Sequence, residues 1–348
     1  MIEKAYYSLM KNQLKRPVYL IYFVTNRCNS RCEHCFYSKQ LNIAKNKDLS
    51  LGEIEKFSKQ LGKLVWLSFS GGEPFLREDI AKVYEIFLRN NNVSDFTIPT
   101  NGMLPDVIYE KTREMLQLGK VKSFSLNLSL DGTKQIHNKI RGVNCYDLVF
   151  KTYYKVVGLK KEFPYFSIKV STTLSNKNIG NIKELHEEIT KRMPEINFHN
   201  FEIMRGDPKN PEYKTPTPEE LEKNKELIFS IWEKYNFYGK RISSKIAMKA
   251  KKELFNTYIN ILRTKKQPFR CYAGIVHLVL DNQGDVYLCE LLGKVGNIRE
   301  KNLEEIWKST LADHQRKMVK EGRCYCTHSC FQNTNLVFNL KNWPKIIM

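Results

Sequence analysis

The chain has 348 residues, enough for one large core or two smaller ones, and its 42% hydrophobic and 27% charged content is that of an ordinary globular protein. Its 57 basic and 37 acidic residues give a formal charge of +20, which suits an anionic partner, although the lysines are spread along the chain and no RNA-binding signature stands out. No apolar run approaches a membrane span, and the N-terminus lacks a signal-peptide pattern, so the expected compartment is the cytoplasm and nucleic acid is not the expected partner.

Residues 1–16 read as an N-terminal extension. Between 17 and about 210 the sequence alternates strand-like and helix-like segments. The strand candidates are "PVYLIYFVT", "LVWLSFSGG", "DFTIPTNG", "SFSLNLSLDG", "FSIKVSTTL" and "NFHNFEIMRG". Helical stretches such as "LSLGEIEKFSKQLG", "REDIAKVYEIFLRN" and "NIGNIKELHEEITKRM" lie between them, which predicts parallel strands with crossover helices. Periodicity alone does not separate an open sheet from a barrel. The unusual residues follow the strands: cysteines after the first, "GGEP" after the second, "TNG" after the third, "SLDG" after the fourth and "RGDP" after the sixth. Loops at the C-terminal ends of parallel strands build active sites, so the five point to one cavity.

Residues 211–266 read as a helical linker. A proline-rich stretch leads into a helix with Thr217 as its N-cap, and "AMKAKKELFNTYINILRTKK" forms another. Residues 267–348 form a small α+β unit with five cysteines and one hairpin, "VHLVLDNQGDVYLCE", turning at "DNQG".

Nine cysteines in a chain without secretory features point to metal binding rather than disulfides. Cys28, Cys32 and Cys35 stand in C-x3-C-x2-C spacing. Zinc wants four ligands, and His34, beside Cys35, is poorly placed to be one. A [4Fe–4S] cluster suits the spacing better, with three thiolates on three irons and the fourth iron open. Cys145 stands alone and reads as a small buried hydrophobe.

The cysteine triad followed by "SGGEP", "TNG" and "SLDG" resembles the radical S-adenosylmethionine (SAM) enzymes. The resemblance implies a partial (β/α)6 TIM-like barrel of the α/β class. It implies a SAM-binding [4Fe–4S] cluster on Cys28, Cys32 and Cys35, with the SAM amino and carboxylate groups on the open iron. An electron from the cluster then releases a 5′-deoxyadenosyl radical that abstracts hydrogen from the substrate. SAM would be met by Gly71, Gly72, Glu73 and Pro74 at its amino group. Thr100 and Asn101 come from the third loop, and Ser129 and Asp131 face its ribose or carboxylate. Arg141 is the counter-charge for the carboxylate, and the backbone of His34 lies near adenine. Arg205, Thr172 and Thr173 are further cavity candidates, and no catalytic residue is assigned.

At the C-terminal end, Cys271, Gly284 and Cys289 followed by "CYCTHSC" resemble the SPASM/twitch extensions of that family, which carry auxiliary [4Fe–4S] clusters. Five cysteines suit one cluster, the twitch form, held by four of Cys271, Cys289, Cys324, Cys326 and Cys330. Zinc with His328 is the alternative. The implied electron donor is a ferredoxin or flavodoxin. The implied substrate is a peptide or protein, or else a small anionic metabolite such as a sugar, cofactor or lipid precursor. With 27 residues before Cys28, no leader-peptide-binding domain is expected in the chain.

Overall fold

The computed structural model describes residues 16–43, 47–235, 242–339 and 343–344, so the expected N-terminal extension falls almost entirely outside the described residues. All six expected strands form: β1 (Tyr19–Thr25), β2 (Trp66–Gly71), β3 (Asp95–Thr100), β4 (Ser123–Ser129), β5 (Phe166–Leu174) and β6 (Phe198–Ile203). Each pairs in parallel with its sequence neighbour, and the order runs 6-5-4-3-2-1 without the reversal of a doubly wound sheet. The far side of β1 pairs with another strand rather than with β6, so the barrel is partial. In β5 the residues Phe166, Ile168, Val170, Thr172 and Leu174 are buried, while the alternate side is half-buried and carries Thr173 to the cavity.

Helix starts follow from local chemistry. Helix α1 (Leu51–Ser58) opens with a capping box in which Glu53 N–H donates to Ser50 Oγ and the Glu53 carboxylate accepts from the Ser50 backbone. The helix at Pro218–Glu233 opens as expected, with Thr217 and Glu220 forming the same box and Pro218 in its first turn.

Two further segments pack onto the barrel. The helices Pro218–Glu233 and Ile242–Thr264 are more than a linker: Trp232, Phe255 and Tyr258 share one buried cluster with Phe198 and Phe201, so they cover the unpaired flank of β6. The hairpin expected in the C-terminal segment forms, and it joins the barrel sheet. Strand β7 (His277–Leu280) pairs in parallel with β1, and β8 (Asp285–Tyr287) and β9 (Gly296–Asn297) continue antiparallel, giving nine strands in one sheet. Leu278, Leu280, Val286 and Leu288 belong to the main barrel core.

Arg77, 3% exposed, braces the end of β1. Its guanidinium donates to Val24 O at 2.9 Å, to Leu49 O at 2.6 Å and to Asp79 Oδ1 at 2.7 Å. Arg77→Ala removes a buried cation and leaves those acceptors without it. It is expected to destabilise the protein by about 3 kcal/mol, read as a lowered midpoint in urea.

Candidate functional site

The C-terminal ends of the six strands, with the loops that follow most of them, line one cavity of about 360 Å³. Cys28, Cys32 and Cys35 line it together with His34, Gly71, Gly72, Glu73, Pro74, Thr100, Asn101, Ser129 and Arg141, and Thr173 and Arg205 reach it as well.

The cysteine loop is held by main chain on two sides. The carbonyls of Ile140 and Arg141, at the C-terminal end of the helix Lys134–Arg141, accept from Glu33 N at 2.8 Å and Arg31 N at 3.0 Å. Carbonyls at a helix end have no partner within the helix, and the loop provides one. Gly142 ends this helix at φ +66°, where a Cβ would lie 2.6 Å from Arg31 O. On the other side, Gly72 N donates to Thr25 O and Glu73 N to Arg27 O, both at 2.8 Å. A Cβ on Gly72 would fall 2.0 Å from Arg27 O. The glycines of "SGGEP" thus meet a demand of the fold itself, the close passage of this loop past the cysteine loop.

Glu73 is 2% exposed. Its carboxylate accepts from Thr100 Oγ1 at 2.8 Å, Asn101 N at 2.7 Å and Phe75 N at 3.3 Å, so it fixes the third loop to the second. Burial nevertheless pushes its carboxyl up to about 7, against the pull of those bonds.

Asp131 corrects an expectation. It is fully buried and does not line the cavity. Its Oδ2 lies 2.6 Å from Arg141 Nη2, and its Oδ1 accepts from Thr173 N at 2.9 Å. It therefore acts on the cavity through Arg141 rather than by facing a ligand. Thr172 is also turned away, its hydroxyl donating to Leu130 O at 2.6 Å. Cys145 is buried as expected, yet its Sγ lies 3.2 Å from His137 Nε2, a polar contact the isolated cysteine gave no sign of.

The five C-terminal cysteines lie in one region beside β1. Cys271, Cys289, Cys324 and Cys330 pack with Ile21 and Phe23 of β1, and burial, with Cys326 nearby, pushes the thiols of Cys271, Cys289 and Cys324 up. Cys330 faces Glu290, Glu202 and Arg205 instead. Sequence reasoning missed Glu290. Its Oε2 lies 3.0 Å from Arg205 Nη2 and 2.7 Å from His328 Nε2. Burial pushes Glu290 up, but His328 and Arg205 outweigh it and hold the carboxylate at about 2. The Arg205 guanidinium also stacks on Phe36, 4.7 Å from the ring centroid. One ion pair thus joins the cavity wall to the residue after Cys289.

Both cysteine groups fit iron–sulfur clusters by donor chemistry. Burial pushes the thiols of Cys28, Cys271 and Cys330 up to about 12 and that of Cys35 to about 11. They are neutral in the protein alone and become thiolates against a bound cation. Among the described residues no three His, Cys, Asp or Glu side chains gather around one point as a single-ion site requires. Thiolates on separate irons of a cluster need no such convergence. Asn101 Nδ2 donates to Asn29 Oδ1 at 2.7 Å, so the third loop also braces the segment between Cys28 and Cys32.

Comparison with known proteins agrees with this arrangement. The profile of the Radical SAM superfamily matches residues 22–198, and that of SPASM, an iron-sulfur cluster-binding domain, matches residues 271–331. A cysteine-type anaerobic sulfatase-maturating enzyme of Clostridium novyi is 26% identical over 318 residues, 84% of this chain and 79% of its own length. A probable GTP 3′,8-cyclase of Methanococcus aeolicus is 30% identical over 176 residues, 48% of this chain and 54% of its own. Among solved structures, Streptococcus suis SuiB bound to S-adenosylmethionine has a TM-score of 0.64 at 16% identity, over 90% of this chain and 71% of that one. Native anSMEcpe with bound AdoMet and Cp18Cys peptide has a TM-score of 0.57 at 20% identity, over 87% and 83%.

Glu73 yields a pH prediction. An acid raised from 4.5 to about 7 in the fold ionises first in the unfolded chain, so its burial costs stability progressively between those values. The ligand-free protein loses up to about 3 kcal/mol on this account as pH rises through that window. Glu73→Gln removes the slope. The stability difference between Glu73→Gln and the native protein, from urea midpoints, should move in favour of the variant between pH 5 and pH 7.5.

Proposed function

The chain belongs to the radical SAM superfamily, of the SPASM type, and on that premise we propose that its substrate is a peptide or protein. It is an enzyme that uses S-adenosylmethionine and iron–sulfur clusters. The observation that carries the substrate reading is the Arg205–Glu290 ion pair. Its Arg205 lines the cavity while Glu290 is buried behind it, and Arg205 is flanked by Cys35 on one side and by Cys326 and Cys330 on the other. Cys28, Cys32 and Cys35 line the cavity and the pair links its wall to the C-terminal cysteine group, which suits a reaction that starts at one and ends at the other. The maturase-type relative supports this reading because its likeness extends over most of both chains, whereas the cyclase likeness spans about half of each.

We assign the SAM-binding cluster to Cys28, Cys32 and Cys35, and the auxiliary cluster to four of Cys271, Cys289, Cys324, Cys326 and Cys330. When bound, the first cluster supplies the electron that cleaves SAM. The protein's own contribution is placement. Glu73 offers a buried carboxylate to an ammonium, Arg141 a guanidinium to an anion, and Ser129, Thr100 and Asn101 polar edges at the cavity wall. Of the cationic lining residues, Arg205 is paired with Glu290 and Lys209 with Glu33, while Arg31 favours an acidic group on the substrate, so a small anionic metabolite is the second reading.

The two readings separate in one experiment. Holoprotein, SAM and dithionite are incubated with a peptide extract of cells lacking the gene, and in parallel with a protein-free metabolite extract and with GTP. The peptide fraction should raise 5′-deoxyadenosine several-fold over background and contain one peptide of altered mass. Stimulation by GTP or by the metabolite fraction alone would overturn the proposal.

Cluster assignment is checked by metal analysis. The anaerobically reconstituted protein should hold roughly eight iron and eight sulfide. Alanine at Cys28, Cys32 and Cys35 together should abolish SAM cleavage. Cys271→Ala with Cys289→Ala should remove about half of the iron while cleavage of SAM persists. Stoichiometric zinc in place of iron would refute both assignments.

A further inference from the structure

We propose that Arg141 is a positioning residue for the cysteine loop. Its guanidinium donates to the Cys32 sulfur and is fixed there by a buried string running through Asp131 and His137 to Cys145. This inference rests on the cluster assignment for residues 28–35 and goes beyond it, because the resemblance gives Arg141 only the SAM carboxylate.

The string can be followed atom by atom. Arg141 Nη1 lies 3.7 Å from Cys32 Sγ, and Nη2 lies 2.6 Å from Asp131 Oδ2. Asp131 is itself held at three points: its Oδ1 accepts from Thr173 N at 2.9 Å, its carbonyl from Asn178 Nδ2 at 2.8 Å, and its own N–H donates to His137 Nδ1 at 3.1 Å. That last bond makes Nδ1 the acceptor, so the neutral imidazole carries its proton on Nε2. Nε2–H points at Cys145 Sγ, 3.2 Å away. Asp131, His137 and Cys145 are each 0% exposed.

Burying an arginine–aspartate pair is costly unless geometry repays it. A residue that had only to meet a ligand carboxylate could stay at the cavity rim without this support. Here the main chain of Arg141 is also pinned to the same loop, its carbonyl accepting from Arg31 N at 3.0 Å and from Ser30 Oγ at 3.1 Å. Backbone and side chain of one residue therefore hold the segment around Cys32 from two directions. With a cluster bound, an N–H donor and a positive charge beside a thiolate stabilise the more negative, reduced state and raise its potential. Cys145 and His137 serve at a distance by setting the angle of Asp131.

The test is an EPR-monitored redox titration of the SAM-responsive cluster, made without SAM on anaerobic holoprotein. Arg141→Gln should shift the potential to more negative values at unchanged iron content. Cys145→Val, which cannot accept from His137, should shift it the same way by less. Cys145→Ser, which can, should stay near the native value. If Arg141→Gln weakens SAM binding tenfold or more while the SAM-free potential stays native, Arg141 is a ligand group only and the proposal fails. If that variant does not load iron, Cys145→Val decides, and a native potential there overturns the string. Cys32→Ala tests the underlying assignment separately, since native iron content in that variant would refute the cluster reading itself.

Discussion

Three thiols within eight residues must be kept apart and aimed at one space, and main-chain hydrogen bonding does this before any ligand arrives. The loop lies between two backbones: the carbonyl end of the helix Lys134–Arg141 and the glycine turn after β2. Both contacts exclude a side chain at the point of approach, at Gly142 and at Gly72. The cost of pairing these groups is shared, since helix-end carbonyls and loop N–H groups would each need a partner anyway. None of this main-chain bracing uses a cysteine side chain, and of the three sulfurs only that of Cys32 takes side-chain contacts among the described residues, from Arg141 and Ser30.

The charges around the cavity follow from the same economy. Glu73 receives three donors but no ion-pair partner among the described residues, so burial leaves it short of full compensation, and an ammonium brought to it relieves that cost. Arg141 is the reverse case, already paired with Asp131 and supported from below. A ligand with an amino group and a carboxylate meets one group that needs a partner and one held in place for it. This asymmetry lies in the protein alone, and it agrees with the family's cofactor.

Much of this was legible in the sequence. Strand and helix periods are local signals, and each of the six strand candidates forms, as does the Thr217 cap. The cysteine spacing and the position of each motif after a strand placed the cavity correctly. What could not be read was non-local. Nothing near residues 277–280 says that they pair with β1 rather than with a separate small sheet. Glu290 meets Arg205 across 85 positions, and while Arg205 stands out at a strand end, Glu290 looks like an ordinary surface charge in its own segment. Asp131 fell on the wrong side because the motif fixes its loop and not which side chain turns inward. Cys145 read as apolar because its partner, His137, lies on the preceding helix with no pattern linking them.

The two cysteine groups are bound into one body through β1. Its C-terminal end leads into Cys28, and its residues Ile21 and Phe23 pack beside Cys271 and Cys289. The pairing of β1 with β7 runs in register from Tyr19 with His277 to Tyr22 with Leu280. A slip of one residue in such a pair exchanges the faces of a strand, which would carry the segment before Cys289 away from this packing. On the opposite side, Arg205 from the end of β6 closes onto Glu290. The separation between the groups is therefore fixed by a sheet register on one side and a buried ion pair on the other.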